Sequence, residues 1–252
     1  MSSGTTDPGL GTAVVTGGAA GLGRAFAVAL AQAGHAVAIL DLADASETLA
    51  EVDAHGVPAL SRVGDASDLA AVSEFAADVR RELPPTRVVV NNVGISPYAK
   101  FDDTDLDLWH RVMRVNLDSM YLVTRAFLPD LIAHGAGRVV NLTSTVVWDS
   151  QARDMVAYGT SKAAVVGFTR ALAGEVGAHG VTVNAIAPGI VLTPDIVARV
   201  PAERLETYRG RQAVPVLADP SDFASALLFL VSPASGQVTG TVLPVNGGRV
   251  LL

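Results

Sequence analysis

The chain has 252 residues, half of them apolar, with 25 acidic residues against 18 Lys and Arg, a formal charge of −7 and no cysteine. That balance excludes a bulk basic face for nucleic acid, and the missing thiols exclude disulfides and thiolate metal ligands. No apolar run reaches transmembrane length and no basic stretch leads into an apolar one at the N-terminus, so a soluble, cytoplasmic protein without a membrane partner is expected.

Residues 1–9 are small and polar and read as a frayed tail. Thr12–Thr16 is a short apolar run of buried-strand length, followed by a glycine-rich turn and a helix from Arg24 to Ala33. Ala36–Leu40 is a second buried strand that ends on Asp41, and 44–54 a helix. Pro58–Val63 is a third strand ending near Asp65, and Ser67 fits an N-cap for a helix over 68–82. Arg87–Val90 is a fourth strand. One long helical segment is expected over 106–128, where Pro129 marks a kink, then a strand over Gly137–Leu142. A helix runs from Ala163 to about Val176, and Val181–Ile186 is the next strand. The stretch 189–214 carries mixed helical signals and no strand, and is expected to move. A helix over Ser221–Leu230 and a strand over Thr241–Val245 close the pattern. Strand and helix alternate at regular spacing, which predicts an α/β fold. The expectation is one domain over 10–252, a doubly wound parallel sheet with helices on both faces.

The turn Thr16-Gly17-Gly18-Ala19-Ala20-Gly21-Leu22-Gly23 lies between a strand and a helix, where the pyrophosphate of a dinucleotide would sit on the helix N-terminus. Gly17 and Gly21 allow a tight turn, and Gly23 allows close helix–sheet packing. No Gly-Lys-Thr or Gly-Lys-Ser follows, which disfavours a P-loop. Asp41 closes the second strand, where a carboxylate can accept both hydroxyls of an adenosine ribose; a helix N-cap or a plain surface acid is the bland alternative. Asp65 could accept from the adenine amino group, with Ala66 beside the ring.

Tyr158 and Lys162 are four apart, so on a helix they share a face and can address one reacting atom. Ser144 stands fourteen residues upstream. Each residue alone has an ordinary structural reading; their order beside a dinucleotide turn is what points to chemistry.

Taken together, Thr16–Gly23, Asn91-Asn92-Val93-Gly94, Asn116, Ser144, Tyr158 with Lys162, and Pro188-Gly189 resemble the classical short-chain dehydrogenase/reductase family over essentially the whole chain. The resemblance implies a nicotinamide-dependent oxidoreductase on a Rossmann fold, usually tetrameric and sometimes dimeric. It implies a catalytic set of Asn116, Ser144, Tyr158 and Lys162. It also implies a cofactor wall of Gly17, Ala20, Gly21, Leu22, Gly23, Asp41, Leu42, Asp65, Ala66, Asn91, Asn92, Val93, Gly94, Pro188, Gly189, Val191 and Thr193, with Tyr158 and Lys162 shared. Val93 stands where the family usually has Ala, and Asn246 where it often has Asp.

The implied chemistry has its own logic. Hydride removal from an alcohol needs a base for the hydroxyl proton, and a phenol near pKa 10 must be made more acidic. Lys162 and the positive nicotinamide ring are expected to do that. Ser144 would polarise the substrate oxygen, and Asn116 could anchor a water that relays protons to Lys162. Ser96, Tyr98, Val146, Trp148 and Tyr208 are candidates for the substrate pocket, with Asp149 and Gln151 as nearby polar groups. Five scattered histidines without an H-E-x-x-H pattern predict no catalytic metal.

The reading is an NAD-dependent dehydrogenase of a small secondary alcohol, or the reverse ketoreductase; Asp41 is the reason for NAD over NADP. A second reading is a 3-oxoacyl- or 3-hydroxyacyl-thioester reductase, its carrier coenzyme A or acyl-carrier protein. A basic rim beside the cleft would favour it, and none is expected, because Arg199, Arg204, Arg209 and Arg211 are interspersed with Glu203 and Glu206. A third, a non-enzymatic dinucleotide sensor, would lack Tyr158, Ser144 or Lys162.

Overall fold

The computed structural model describes residues 10–150 and 152–251; the expected tail over 1–9, Gln151 and Leu252 lie outside the described residues. Among them, β1 (Thr12–Thr16), β2 (Ala36–Asp41), β3 (Ala59–Val63), β4 (Thr86–Asn91), β5 (Arg138–Leu142), β6 (Thr182–Pro188) and β7 (Val242–Val245) form one sheet. Its order is β3-β2-β1-β4-β5-β6-β7, and every neighbouring pair is parallel.

The central strands are near-continuous Ala and Val because both faces are covered. Val14, Ala38, Leu40 and Val89 point to one side, and Ala13, Val15, Ile39 and Val90 to the other, as the period of two requires. Helices α1 (Gly21–Gln32), α2 (Ser46–Asp53) and α9 (Ala224–Val231) cover the second side through Phe26, Leu30, Val52 and Leu227. Helices α3 (Leu69–Glu82), α5 (Ser119–His134) and α6 (Val156–Val176) cover the first. There Phe75 and Phe127 meet edge to face at 5.9 Å and 76°, the geometry that ring quadrupoles favour.

Because β1 pairs with both β2 and β4, the chain reverses its direction of travel between them. The crevice beyond the C-terminal ends of β1 and β4 is the place where such a sheet binds ligands. The glycine turn and the Asn91–Gly94 turn both open into it.

Several local expectations are revised. The N-cap of α3 is Asp68, whose carboxylate accepts from the Ala71 amide at 2.8 Å, while the Ser67 hydroxyl donates to Asp65 at 2.7 Å. Helix α1 begins at Gly21, three residues earlier than expected, and α6 begins at Val156, so Tyr158 and Lys162 both lie inside it. The expected single helix over 106–128 is α4 (Leu106–Met113), a wide π-turn over Arg114–Asp118, and α5, which continues through Pro129 to His134. Asn116 sits in that turn and reaches out of the ladder, as π-turns at functional sites allow. The stretch 189–214 contains α7 (Pro194–Arg199) and α8 (Ala202–Arg209).

Candidate active site

The glycine turn is held from three directions. Gly17 and Gly21 have φ of 68° and 55°, a region that costs side-chain-bearing residues energy. A Cβ on Gly23 would come within 1.9 Å of the Gly17 carbonyl oxygen, so α1 can start here only with glycine. The Asn92 amide donates to the carbonyls of Thr16 and Gly17 at 3.0 and 3.1 Å. Ala20, the residue before α1, offers no side-chain cap, which leaves the first amides of the helix pointing into the crevice.

Asp41 leaves β2 beside this turn. Its Oδ2 accepts from the Ala19 amide at 2.8 Å and its Oδ1 from Ala43 at 3.0 Å. Arg24 grips the other side of Ala19, donating to its carbonyl at 2.7 Å, and is paired with Glu47 at 2.8 Å and Glu51 at 3.6 Å. Leu42 is 72% exposed, whereas Ala66 is buried in the core. A hydrogen bond from Ser67 holds the Asp65 carboxyl below the usual range.

Asn91 and Asn92 face different ways. The Asn91 amide is buried in the sheet and donates to Thr124 and Asn141 at 2.8 Å each; the side chain therefore braces β4 against α5 and β5 rather than facing the crevice. Thr193 reaches back over the glycine turn: a Cβ on Gly21 would meet its methyl at 3.2 Å. The segment after β6 thus roofs the start of α1.

The crevice continues into a cleft of about 480 Å³. On its wall stand Ser144, Tyr158 and Lys162 together with Leu22, Asn92, Gly94, Pro188, Gly189, Val191 and Thr193 from the expected cofactor set. Lys162 is buried, its Nζ donates to the Leu142 carbonyl at 2.7 Å and lies 5.8 Å from the Tyr158 ring centre. Desolvation lowers its pKa to about 8. The Tyr158 phenol is raised above its ordinary value by desolvation, against a hydrogen bond from Ser144 that pulls it down, with Tyr98 raising it further. Lys162 is directed at the Leu142 carbonyl, and desolvation dominates at the phenol. Gly94 leaves room for the ammonium, since a Cβ there would stand 3.1 Å from Nζ.

Asn116 is not on the cleft wall. Its Oδ1 accepts from the Ile95 amide at 2.7 Å, and its Nδ2 donates to the Ile95 carbonyl and the Ser161 hydroxyl at 2.9 Å each. Both amide hydrogens are already used, so the side chain is a brace between the 91–95 loop and α6. Of the substrate-pocket candidates, Ser96, Tyr98, Val146 and Tyr208 line the cleft. Trp148 does not, although Ser144, Thr145, Val146 and Asp149 around it do.

Of the far wall the sequence reading named only Tyr208. Arg204, Thr207 and Arg211 also face the cleft, as do Met155 and Arg249. Arg204, Thr207 and Tyr208 share one face of α8 and Arg211 follows just beyond its end; the 204, 207, 208 spacing is a signal visible in the sequence. The expectation of no basic rim is overturned, because the acids of this segment point elsewhere: Glu206 pairs with Arg209.

The family model described as enoyl-(acyl carrier protein) reductase matches residues 17–249. Galactitol 2-dehydrogenase (L-tagatose-forming) of Cereibacter sphaeroides is 37% identical over 94% of this chain and 93% of its own. A 3-oxoacyl-(acyl-carrier-protein) reductase of Pseudomonas aeruginosa is 34% identical over 95% of this chain and 97% of its own. Among solved structures, a gluconate 5-dehydrogenase candidate from Beutenbergia cavernae with bound NADP superposes with a TM-score of 0.88, at 38% identity over 94% of this chain and 96% of its own. A short chain dehydrogenase from Mycobacterium paratuberculosis bound to NAD gives 0.87, at 28% identity over 97% and 99%. The chain belongs to the classical short-chain dehydrogenase/reductase family and is an oxidoreductase of the alcohol–ketone type.

Proposed function

We propose that the protein interconverts a small secondary alcohol and its ketone, with NAD as the preferred cofactor and one catalytic domain over 10–252. The observation that carries this is the grouping of Tyr158, Ser144 and Lys162 on one cleft that reaches Leu22 at the start of α1, beside the glycine turn to which Asp41 is bonded through Ala19. The donor set suits a dinucleotide: uncapped amides at the start of α1 for the pyrophosphate, the Asp41 carboxylate for ribose hydroxyls, and Thr193 over the turn. Arg24, held by Glu47 and Glu51, is not free to neutralise a 2′-phosphate.

Bound nicotinamide supplies the hydride acceptor or donor; the chain handles the proton. In oxidation Tyr158 takes the hydroxyl proton, and in reduction it gives one to the carbonyl oxygen. Ser144 holds that oxygen by donating to it, which favours the charge it develops. Lys162 keeps a cation near the phenol, 5.8 Å from its ring centre, and would bond the nicotinamide ribose. Asn116 fixes the Ile95 loop and Ser161, and so the start of α6 that carries Tyr158. Following absorbance of NADH and NADPH with a panel of ketones and alcohols tests the assignment; absence of turnover with all of them refutes it.

The basic wall gives the thioester reading a specific observation, and acyl-coenzyme A substrates belong in the same panel. The proposal includes a cytoplasmic homotetramer. Gly167 and Gly174 lie seven apart on α6 with nothing within 4 Å of where a Cβ would stand, leaving a low surface for a second copy to approach. Light scattering checks it; a monomer mass at micromolar concentration contradicts it.

A further inference from the structure

Four arginines follow one another at 199, 204, 209 and 211, and the structure divides them. Arg199 pairs with Asp195 and Arg209 with Glu206, the i,i+3 and i,i+4 arrangement that arginines on a helix surface usually find. Arg204 and Arg211, which line the cleft, have no carboxylate partner among the described residues. Arg204 instead lies over the Tyr98 ring at 4.8 Å, spanning from α8 to the loop after β4. Tyr98, Arg204 and Tyr158 line the same cleft. A third, Arg249, sits 5.3 Å over the Tyr208 ring on the same wall.

Only one carboxylate faces these three guanidinium groups among the described residues lining the cleft, that of Asp149. It is already paired with Arg249 at 2.7 Å, both side chains being about nine-tenths buried. Arg249 and Asp149 therefore close a neutral unit that pins the C-terminal turn to the cleft. Arg204 and Arg211 remain on the cleft wall as two forked donors without a carboxylate partner among the described residues.

Resting on the oxidoreductase reading, we infer that the substrate carries an anionic group away from its carbinol carbon, and that Arg204 and Arg211 bind it. A guanidinium presents parallel N–H donors that match a carboxylate or a phosphate. Tyr98 holds Arg204 in place through its ring face, so less freedom is lost on binding. The shared chemistry is an oxyanion at the rim; it comes either from the carboxylate of a small hydroxy or keto acid, or from the phosphates of coenzyme A in a thioester. Thr207 and Tyr208 lie in sequence between Arg204 on α8 and Arg211 just beyond its end, and all four line the cleft.

The test measures binding and does not require turnover. The full chain, with and without NADH, is titrated with three anion–neutral pairs: 3-hydroxybutyrate and its ethyl ester, D-gluconate and D-glucitol, and coenzyme A and pantetheine. At least one anion should bind tenfold or more tightly than its neutral counterpart. That preference should fall at least tenfold in the double variant Arg204→Gln, Arg211→Gln, and should weaken as salt screens the pair. The single variant Arg211→Glu, at an exposed position, should reverse the preference, which guards against a folding defect in the double variant. A preference confined to coenzyme A assigns the thioester source; one for 3-hydroxybutyrate or gluconate assigns a free acid. No anion preference in any pair, or one that survives both variants, overturns the inference. Loss of hydride transfer across the ketone panel would instead overturn the oxidoreductase reading.

Discussion

Asp41 and Arg24 hold the same residue of the glycine turn from opposite sides: the carboxylate accepts from the Ala19 amide at 2.8 Å, and the guanidinium donates to the Ala19 carbonyl at 2.7 Å. The acid is thereby fixed at the end of β2, where the proposed function puts the adenosine ribose, and the base is paired with Glu47 and Glu51.

Cofactor choice follows from that arrangement. A 2′-phosphate at 4 Å from Asp41 would meet an idealised repulsion of about 4 kcal/mol per charge pair at an effective dielectric of 20, reduced by solvent at this partly exposed site. NAD should exceed NADP in kcat/KM by at least about tenfold, well within that energy. Asp41→Ala should narrow the gap, chiefly by loss of NAD affinity, and adding Glu47→Gln should narrow it further by loosening Arg24. Steady-state kinetics with both cofactors decide; equal efficiency in the unmodified chain contradicts the role of Asp41.

Lys162 predicts a pH-dependent stability. Its pKa falls from 10.5 to about 8 in the folded chain, so between those values the unfolded chain binds more protons and stability rises with pH. Below pH 8 the burial penalty is fully present, on the order of 3 kcal/mol; above about 10.5 it is gone. Urea unfolding of the cofactor-free chain and of Lys162→Met should show the variant's relative advantage shrinking from pH 7.5 to pH 10. A constant difference would contradict the depressed pKa.

Asn116 should act through position. Asn116→Ala leaves the Ile95 amide and carbonyl and the Ser161 hydroxyl short of partners, and a buried polar group without one costs about 1–3 kcal/mol. Thermal unfolding should show that loss. Since Asn116 braces α6, kcat should fall while the pH profile keeps its shape. A displaced pH profile would mean that the amide takes part in proton transfer.

The alternating apolar runs made the sheet legible in the sequence, because strands buried on both faces carry few polar interruptions. Tyr158, Lys162 and Ser144 were legible because one helix and one strand end fix their spacing. The split of 106–128 was not: the π-turn exists to aim Asn116 at Ile95, a contact twenty-one residues away that no local periodicity reports. Trp148 is passed over although its neighbours Val146 and Asp149 line the cleft, and Asn91 was assigned outward because its partners, Thr124 and Asn141, lie on other elements. The basic wall was hidden by counting charges along the chain; Glu206 cancels Arg209 on one face of α8 while Arg204 looks the other way.

The central claim is that Tyr158 moves the proton that accompanies hydride transfer. Its most direct measurement is the turnover of Tyr158→Phe with the best substrate of the alcohol and ketone panel, beside cofactor affinity measured by NADH fluorescence. The ring of Phe keeps the packing, so affinity should stay within about threefold, while kcat should fall at least about a hundredfold, the low end for losing a general acid or base. Near-normal turnover in Tyr158→Phe with unchanged cofactor binding would contradict the account.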